Sequence, residues 1–432
     1  MIETGSQARL LSDSERPGWQ HYKILLLSWA GWTFDFYDLM LYSFLLLPIG
    51  KELHLSRVAL SYVLGSSLAA TALGGVIFGL LADKVGRKTV LSWTIGVYSI
   101  GAFLCGFSNS LTTLLIFRLI TGIGVGGEWA TGQAYIAETF PARLRGRIGA
   151  LMQTGAPVGI AVAALVAGFL QPILGWRGCF WFSIVPALLV VFVRRTLNES
   201  DMWAEHQRLK RAGKLSAHEM HAERRNKLMG LLTGPYRKYF YLSLVLATLA
   251  LSAYWFTYSW LPGYLQAERR LSLTTSSLWI LVTQTGGVLG YISFGLVADR
   301  LGRRPAFSIY GAIWAAGMLM ITLFWGAVVA MPTVILGFMF LTGIGTGMFG
   351  GIGPLFAELF PTGLRNTAMG AAFNVGRGVQ FLTPVIIAVV ATQYGLSGGL
   401  SLAAFFALAC GAWIWTFPET KGKKLHAAEP GA

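Results

Sequence analysis

The chain has 432 residues, 54% of them hydrophobic and only 12% charged, against the roughly 25% charged that soluble domains carry. A water-solvated globule is excluded, and the chain belongs in a bilayer. The net charge of +15 is spread over the short segments between apolar runs, so it reads as a membrane-topology signal rather than a nucleic-acid surface.

Residues 1 to 20 are polar and lack the apolar core of a secretory signal, so none is expected. Twelve apolar runs follow: 22 to 50, 57 to 82, 89 to 107, 111 to 137, 146 to 170, 176 to 195, 238 to 265, 274 to 298, 306 to 327, 331 to 357, 366 to 392 and 396 to 418. Each is long enough to cross a hydrocarbon core of about 30 Å as a helix. Of the 34 Lys and Arg, 27 fall in the terminal tails and alternate loops that share one side, while the other side holds Lys51, Arg57, Arg177, Arg269 and Arg270. The positive-inside rule therefore puts both termini in the cytoplasm. The polar, basic stretch 196 to 237 becomes a cytoplasmic linker that also meets anionic lipid headgroups.

A repeat organises the runs. GLLADKVGRK, starting at Gly79, returns as GLVADRLGRR from Gly295, an offset of 216 residues or half the chain. Glu138, Pro141 and Arg145 in AETFPARLR recur as Glu358, Pro361 and Arg365 in AELFPTGLR, and Gly122, Gly124 and Gly126 are echoed by Gly343, Gly345 and Gly347. The expected fold is an all-α membrane protein of twelve transmembrane helices in two six-helix pseudo-repeats around a central cavity. The expected units are 1–195, the linker 196–237, and 238–432. In the repeated loops, Asp83, Arg87, Lys88, Glu138 and Arg145, with Asp299, Arg303, Arg304, Glu358 and Arg365, form a set suited to a cytoplasmic gate whose charge-assisted bonds form in one state and release in another.

Three cysteines and six histidines show no metal or redox spacing, and no nucleotide loop or nucleophile–base pair appears. No catalytic residue, metal or cofactor is expected, and the chain is not read as an enzyme.

Five ionisable residues lie deep in the runs: Asp35, Asp38, Arg118, Glu128 and Arg377. Together they cost about 12 to 18 kcal/mol before pairing, and none is charged at the corresponding position of the other half. The fold does not require them, so they mark function. At 1.5 Å per residue, Asp35, Glu128 and Arg377 share a layer about 18 to 20 Å deep, and Arg118 lies within reach of Asp38 if the first and fourth runs are neighbours. A carboxylate out of water accepts a proton, and moving an arginine toward or away from it toggles that step. Asp35, Asp38, Arg118 and Glu128 thus form a candidate proton-coupling set. Arg377 offers a two-pronged donor to a substrate carboxylate, with Asn374, Gln380, Gln153, Gln284, Trp32, Tyr42, Tyr254 and Tyr258 as further cavity candidates.

The two decapeptides, the Glu-Pro-Arg loops, RLITGIGVGG on the fourth run and the long central linker resemble the major facilitator superfamily across essentially the whole chain. FDFYDL resembles the D-x-x-D of organic-acid:proton symporters. GGEW at Gly126 to Trp129 and NVGRG at Asn374 to Gly378 resemble the lactate/sialate-type group, and the aromatic-acid group is less similar, with Phe36 and Tyr37 departing from its pattern. The resemblance implies a secondary active transporter that imports a small organic anion together with protons by alternating access, in the cell inner membrane, as a monomer with only lipid and solute as partners. The alternative is a proton-driven exporter of a drug or metabolite, since Gly155, Pro157 and Gly159 in TGAPVG match part of an antiporter motif.

Overall fold

The computed structural model describes residues 17–140, 148–149, 151–185, 187–199, 204, 207–208, 211–212, 231–360 and 362–420, and most side chains within them. Every regular element among the described residues is helical. The first half holds α1 (Trp19–Glu52), α2 (Arg57–Val85), α3 (Arg87–Cys105), α4 (Leu111–Thr139), α5 (Gly155–Leu165), α6 (Gln171–Phe182) and α7 (Ala187–Thr196). The second holds α8 (Arg237–Tyr258), α9 (Leu261–Ala267), α10 (Leu273–Leu301), α11 (Arg303–Ile321), the single turn α12 (Trp325–Val328), α13 (Pro332–Thr346), α14 (Phe349–Leu359), α15 (Thr362–Val379) and α16 (Leu382–Trp413). Eight stretches among the described residues are long and apolar enough to cross a membrane; one of them, Ala368–Thr416, is 49 residues long and holds two crossings. Adding α1, α11 and the crossing completed by α7 gives twelve.

Local chemistry explains where the helices start. Ser56, Ser110 and Ser272 open α2, α4 and α10, each hydroxyl accepting the backbone N–H three residues on, from Ala59, Thr113 and Thr275. Elsewhere the exposed N–H groups go to carboxylates from distant segments. Glu199 accepts from the Arg87 and Lys88 amides at 2.7 and 3.1 Å, and Glu419 accepts from the Arg303 and Arg304 amides at 2.9 and 3.2 Å. The chain enters both helices through a left-handed glycine, Gly86 at φ 100° and Gly302 at φ 101°, which a side chain would strain and where it would strike the capping carboxylate. On the opposite face the arrangement recurs. After Gly395 (φ 70°), Glu268 accepts from the Leu396 and Ser397 amides; after Gly175 (φ 67°), Glu52 accepts from Trp176 Nε1 at 2.6 Å and from the Arg177 guanidinium. The Glu52, Glu268 and Glu419 staples lie within one half, and Glu199 reaches back from the start of the stretch 196 to 237.

Glycines on α4 and α13 set the interhelical spacing. A β-carbon on Gly126 would stand 1.9 Å from the Thr71 carbonyl oxygen of α2, and one on Gly343 would stand 1.8 Å from that of Thr283 on α10. The halves meet closely toward the face opposite the decapeptides. Gly65 of α2 abuts the Phe381 carbonyl, Thr274 Oγ1 donates to Gly168 O at 2.7 Å, and Trp260 Nε1 donates to Ser61 Oγ at 3.0 Å. Nearer the decapeptide face, Trp129 of α4 stacks on Phe373 of α15 with centroids 4.6 Å apart.

These backbone approaches make a direct expectation. Gly126→Leu and Gly343→Leu should each lower stability by about 1–3 kcal/mol, the usual penalty of overpacking. Gly79→Leu, where a β-carbon meets nothing within 4 Å, should melt like the parent in a detergent thermal-denaturation series.

Candidate functional site

The intramembrane charges gather where α1 passes α4. Arg118 Nη1 donates to Asp38 Oδ2 at 2.9 Å, with both side chains essentially inaccessible. The guanidinium lies 5.1 Å from the centroid of the Tyr42 ring, a cation–π contact strengthened by exclusion of water. Ser67 Oγ fixes the backbone of the same residue by donating to Arg118 O at 3.0 Å. One helical turn from Asp35 on the same helix, Gly31 leaves room for Glu128: a β-carbon there would fall 1.6 Å from Glu128 Oε1.

Asp35 and Glu128 are fully buried, and none of their four carboxylate oxygens has a hydrogen-bond partner. Thr94, beside Glu128, donates its hydroxyl proton to Leu91 O at 3.0 Å instead. The charged neighbours within electrostatic reach of Asp35 are Glu128, Arg377 and Asp38. Tyr98 of α3 brings a buried phenol, also without a partner, to this cluster.

Arg377 belongs to α15, in the other half. Its guanidinium lies 5.8 Å from the Trp32 ring centroid, and Nη2 is buried without a partner. It opens into a tight cavity with about 20 Å³ of free space, room for about one water molecule. The first half lines this cavity with Trp32, Phe36, Gln153 and Ala156. The second adds Leu251, Tyr254 and Trp255 of α8, Tyr291 of α10, Phe349 of α14 and Phe373 of α15. Phe36 meets Tyr254 edge to face at 5.9 Å, so rings from the two halves touch at the cavity wall.

Several sequence candidates stand elsewhere, each because a nearer group claims it. Tyr42 covers Arg118 and donates to Leu60 O at 3.2 Å. Gln380 is taken up by its own helix and by α8, its Nε2 donating to Gly376 O and Thr248 O while Oε1 accepts from Thr383. Asn374 packs on Gly75 of α2. Tyr258 sits one turn from Tyr254, with ring centroids 4.8 Å apart, and beside the buried Gln284; neither lines the cavity. Trp32, Gln153, Tyr254 and Arg377 do line it.

In the expected gate, Arg303 Nη2 meets Glu358 Oε1 at 3.1 Å, Thr420 Oγ1 donates to Glu358 Oε2, and Arg304 Nε donates to Phe417 O at 2.8 Å. Arg87 and Lys88 contribute their backbone amides to Glu199. The side chains of Asp83, Glu138, Asp299 and Arg365, and all of Arg145, lie outside the described residues. Glu199 and Glu419 escaped the sequence analysis although they stand 220 residues apart, the same offset as Glu138 and Glu358.

A double-mutant cycle tests the α1–α4 ion pair. Asp38→Ala leaves a buried guanidinium that cannot shed its charge and should cost about 3–5 kcal/mol. Arg118→Ala should cost less, because an aspartate can take a proton, and the double variant should recover part of the loss. Additive effects in detergent denaturation would show that the two groups are not coupled.

The Major Facilitator Superfamily profile matches residues 27–295 and 244–431. A cis,cis-muconate transport protein of Acinetobacter baylyi is 30% identical over 90% of this chain and 93% of its own length. The sialic acid transporter NanX of Escherichia coli is 28% identical over 89% and 92%. Among solved structures, a D-xylose-proton symporter superposes with a TM-score of 0.73 at 21% identity, covering 94% of this chain and all of that one, which speaks to the fold alone. The matches are transporters of small metabolites rather than enzymes, and they span nearly the full chain. With its two stapled halves and a cavity between them, this chain is a multi-pass transporter of the Major Facilitator Superfamily.

Proposed function

We propose that the protein imports a small organic anion together with protons by alternating access. The observation that carries this reading is the juxtaposition, across the two halves, of a cavity-lining Arg377 with two buried carboxylates that have no partner. A proton is the partner that Asp35 and Glu128 lack, and a carboxylate is the partner suited to the guanidinium fork. When an anion engages Arg377, the arginine no longer compensates Asp35, and proton uptake at Asp35 restores the balance. A monoanion and a proton then move without net charge, and the neutralised core can rock between its two states. Asp38 and Arg118 hold the α1–α4 side of this relay. Relatives named for muconate and sialic acid, both carboxylates, support the anion assignment.

The distribution of Lys and Arg supports placing the decapeptide face in the cytoplasm, with both termini, in the cell inner membrane. In that orientation the close contacts at Gly65, Gly168 and Trp260 seal the outer side. The chain would work as a monomer, with protons as the coupling ion and no cofactor.

Proteoliposomes test the coupling. With lactate, muconate, nicotinate and N-acetylneuraminate supplied in turn, an inward proton gradient should drive accumulation of at least one, and its collapse by a protonophore should stop it. Asp35→Asn should lower gradient-driven accumulation by about tenfold or more while solute exchange persists; full pH-driven uptake in that variant would remove Asp35 as the coupler. Arg377→Lys should weaken binding of the same solute by about tenfold, the equivalent of one charge-assisted hydrogen bond of roughly 1.5 kcal/mol. Unchanged affinity would place the anion elsewhere.

A further inference from the structure

The free space beside Arg377 is about 20 Å³, so a wall must move before any solute larger than water can enter. Opposite the decapeptides the halves close through backbone, with Gly65 against the Phe381 carbonyl and Gly168 O accepting from Thr274. The flank between α2 and α15 is backbone as well. A β-carbon on Gly75 would stand 3.0 Å from Asn374 Nδ2, and one on Gly378 would stand 2.9 Å from Ala72 Cβ. Toward the decapeptide face the contact is different in kind: two rings, Trp129 of α4 and Phe373 of α15, stacked across the halves with an interplanar angle of 23°.

The height of this stack follows from helix direction. The helix α15 starts at Thr362 on the decapeptide face, and Phe373 precedes Arg377 by one turn, about 6 Å nearer that face. Phe373 itself lines the cavity, so the ring pair lies between the guanidinium and the decapeptide side. Rings turn about side-chain torsions while packed backbones do not, which makes the stack the movable part of the enclosure.

One side chain holds it. Trp129 Nε1 donates to Gln153 Oε1 at 3.1 Å, and Gln153 also lines the cavity. The backbone around Gln153 is fixed in turn. The helix α5 begins only at Gly155, the Thr154 amide closes a tight turn onto Leu151 O at 3.2 Å, and Thr154 Oγ1 accepts from Trp29 Nε1 at 3.1 Å. Neighbouring residues of one anchored turn thus receive two indoles, and the second of these is half of the stack.

We infer that Trp129 and Phe373 form the door of the cavity on the decapeptide face, and that Gln153 is the positioning residue that keeps this door shut. The inference rests on the alternating-access reading above and names the side chains that part on this side.

The test follows entry into the cavity without any solute. Ala156→Cys, in the full chain with Cys105, Cys179 and Cys410 replaced by serine, puts a thiol on the cavity wall. Its reaction with a membrane-impermeant methanethiosulfonate is timed in everted vesicles, which present the decapeptide face in the orientation proposed above, and in right-side-out vesicles. Trp129→Leu and Phe373→Leu should each speed labelling about tenfold from the decapeptide face alone, the scale of one ring contact with its hydrogen bond. Trp129→Phe, which keeps a ring and drops the N–H, should act in the same direction and serves if Trp129→Leu does not fold. Gln153→Leu should also speed labelling, whereas Gln153→Glu, which keeps an oxygen for the indole, should stay within about twofold of the parent. Unchanged rates in the ring variants, or equal acceleration from both faces, would overturn the door. Equal effects of Gln153→Leu and Gln153→Glu would overturn the role of Gln153. The organic-anion and proton reading stands or falls separately, on the uptake assay.

Discussion

The first amides of a helix need acceptors, and inside a bilayer water does not supply them. At three places the chain meets this constraint by bringing a glutamate from a distant segment, Glu199 and Glu419 on the decapeptide face and Glu268 on the other, while at a fourth entrance Glu52 holds the side chains of Trp176 and Arg177. Each bond ties a helix entrance to a later or earlier crossing, and each is short enough to leave little slack. Glycines let α2 pack closely against α4 and α10 against α13, so the tightest packing of each pair lies within a half.

Against this shared frame, the charges and the cavity wall are distributed asymmetrically. The carboxylate cluster and its Asp38–Arg118 pair belong to the first half, while Arg377 and most of the aromatic wall belong to the second. The site is thus assembled from side chains of both halves. Trp129 and Phe373 show the economy of the arrangement: one ring of the stack lines the cavity while its partner, across the interface, holds Gln153 in place.

The fold was legible because the repeat and the apolar runs are one-dimensional signals. The 27-residue run predicted at 366 to 392 and its successor meet at Gly395, close to the expected break. The seventh run proved less regular: it breaks at Ser259–Trp260, ahead of Pro262, into α8 and α9. Depth counting put Arg118 within reach of Asp38 in height, and the pair needed in addition that the first and fourth crossings be neighbours, as they are in the structure. Facing was harder. Helical period puts Gln380 on a shared face with Arg377, but Thr248, Gly376 and Thr383 hold it first. Asn374 likewise turns to the bare backbone of Gly75. The wall residues Tyr291, Phe349 and Phe373 carry no charge or motif to announce them, and only the rotation of three different helices brings them together.

The closure opposite the decapeptides is made of uncharged contacts: glycine against a carbonyl at Gly65 and Phe381, a threonine hydroxyl on Gly168, an indole on Ser61. Separating such surfaces exposes dipoles and close-packed backbone but pulls no ions apart. Under the alternating-access reading, opening of this side should therefore be nearly indifferent to ionic strength and should respond instead to lateral pressure and lipid packing.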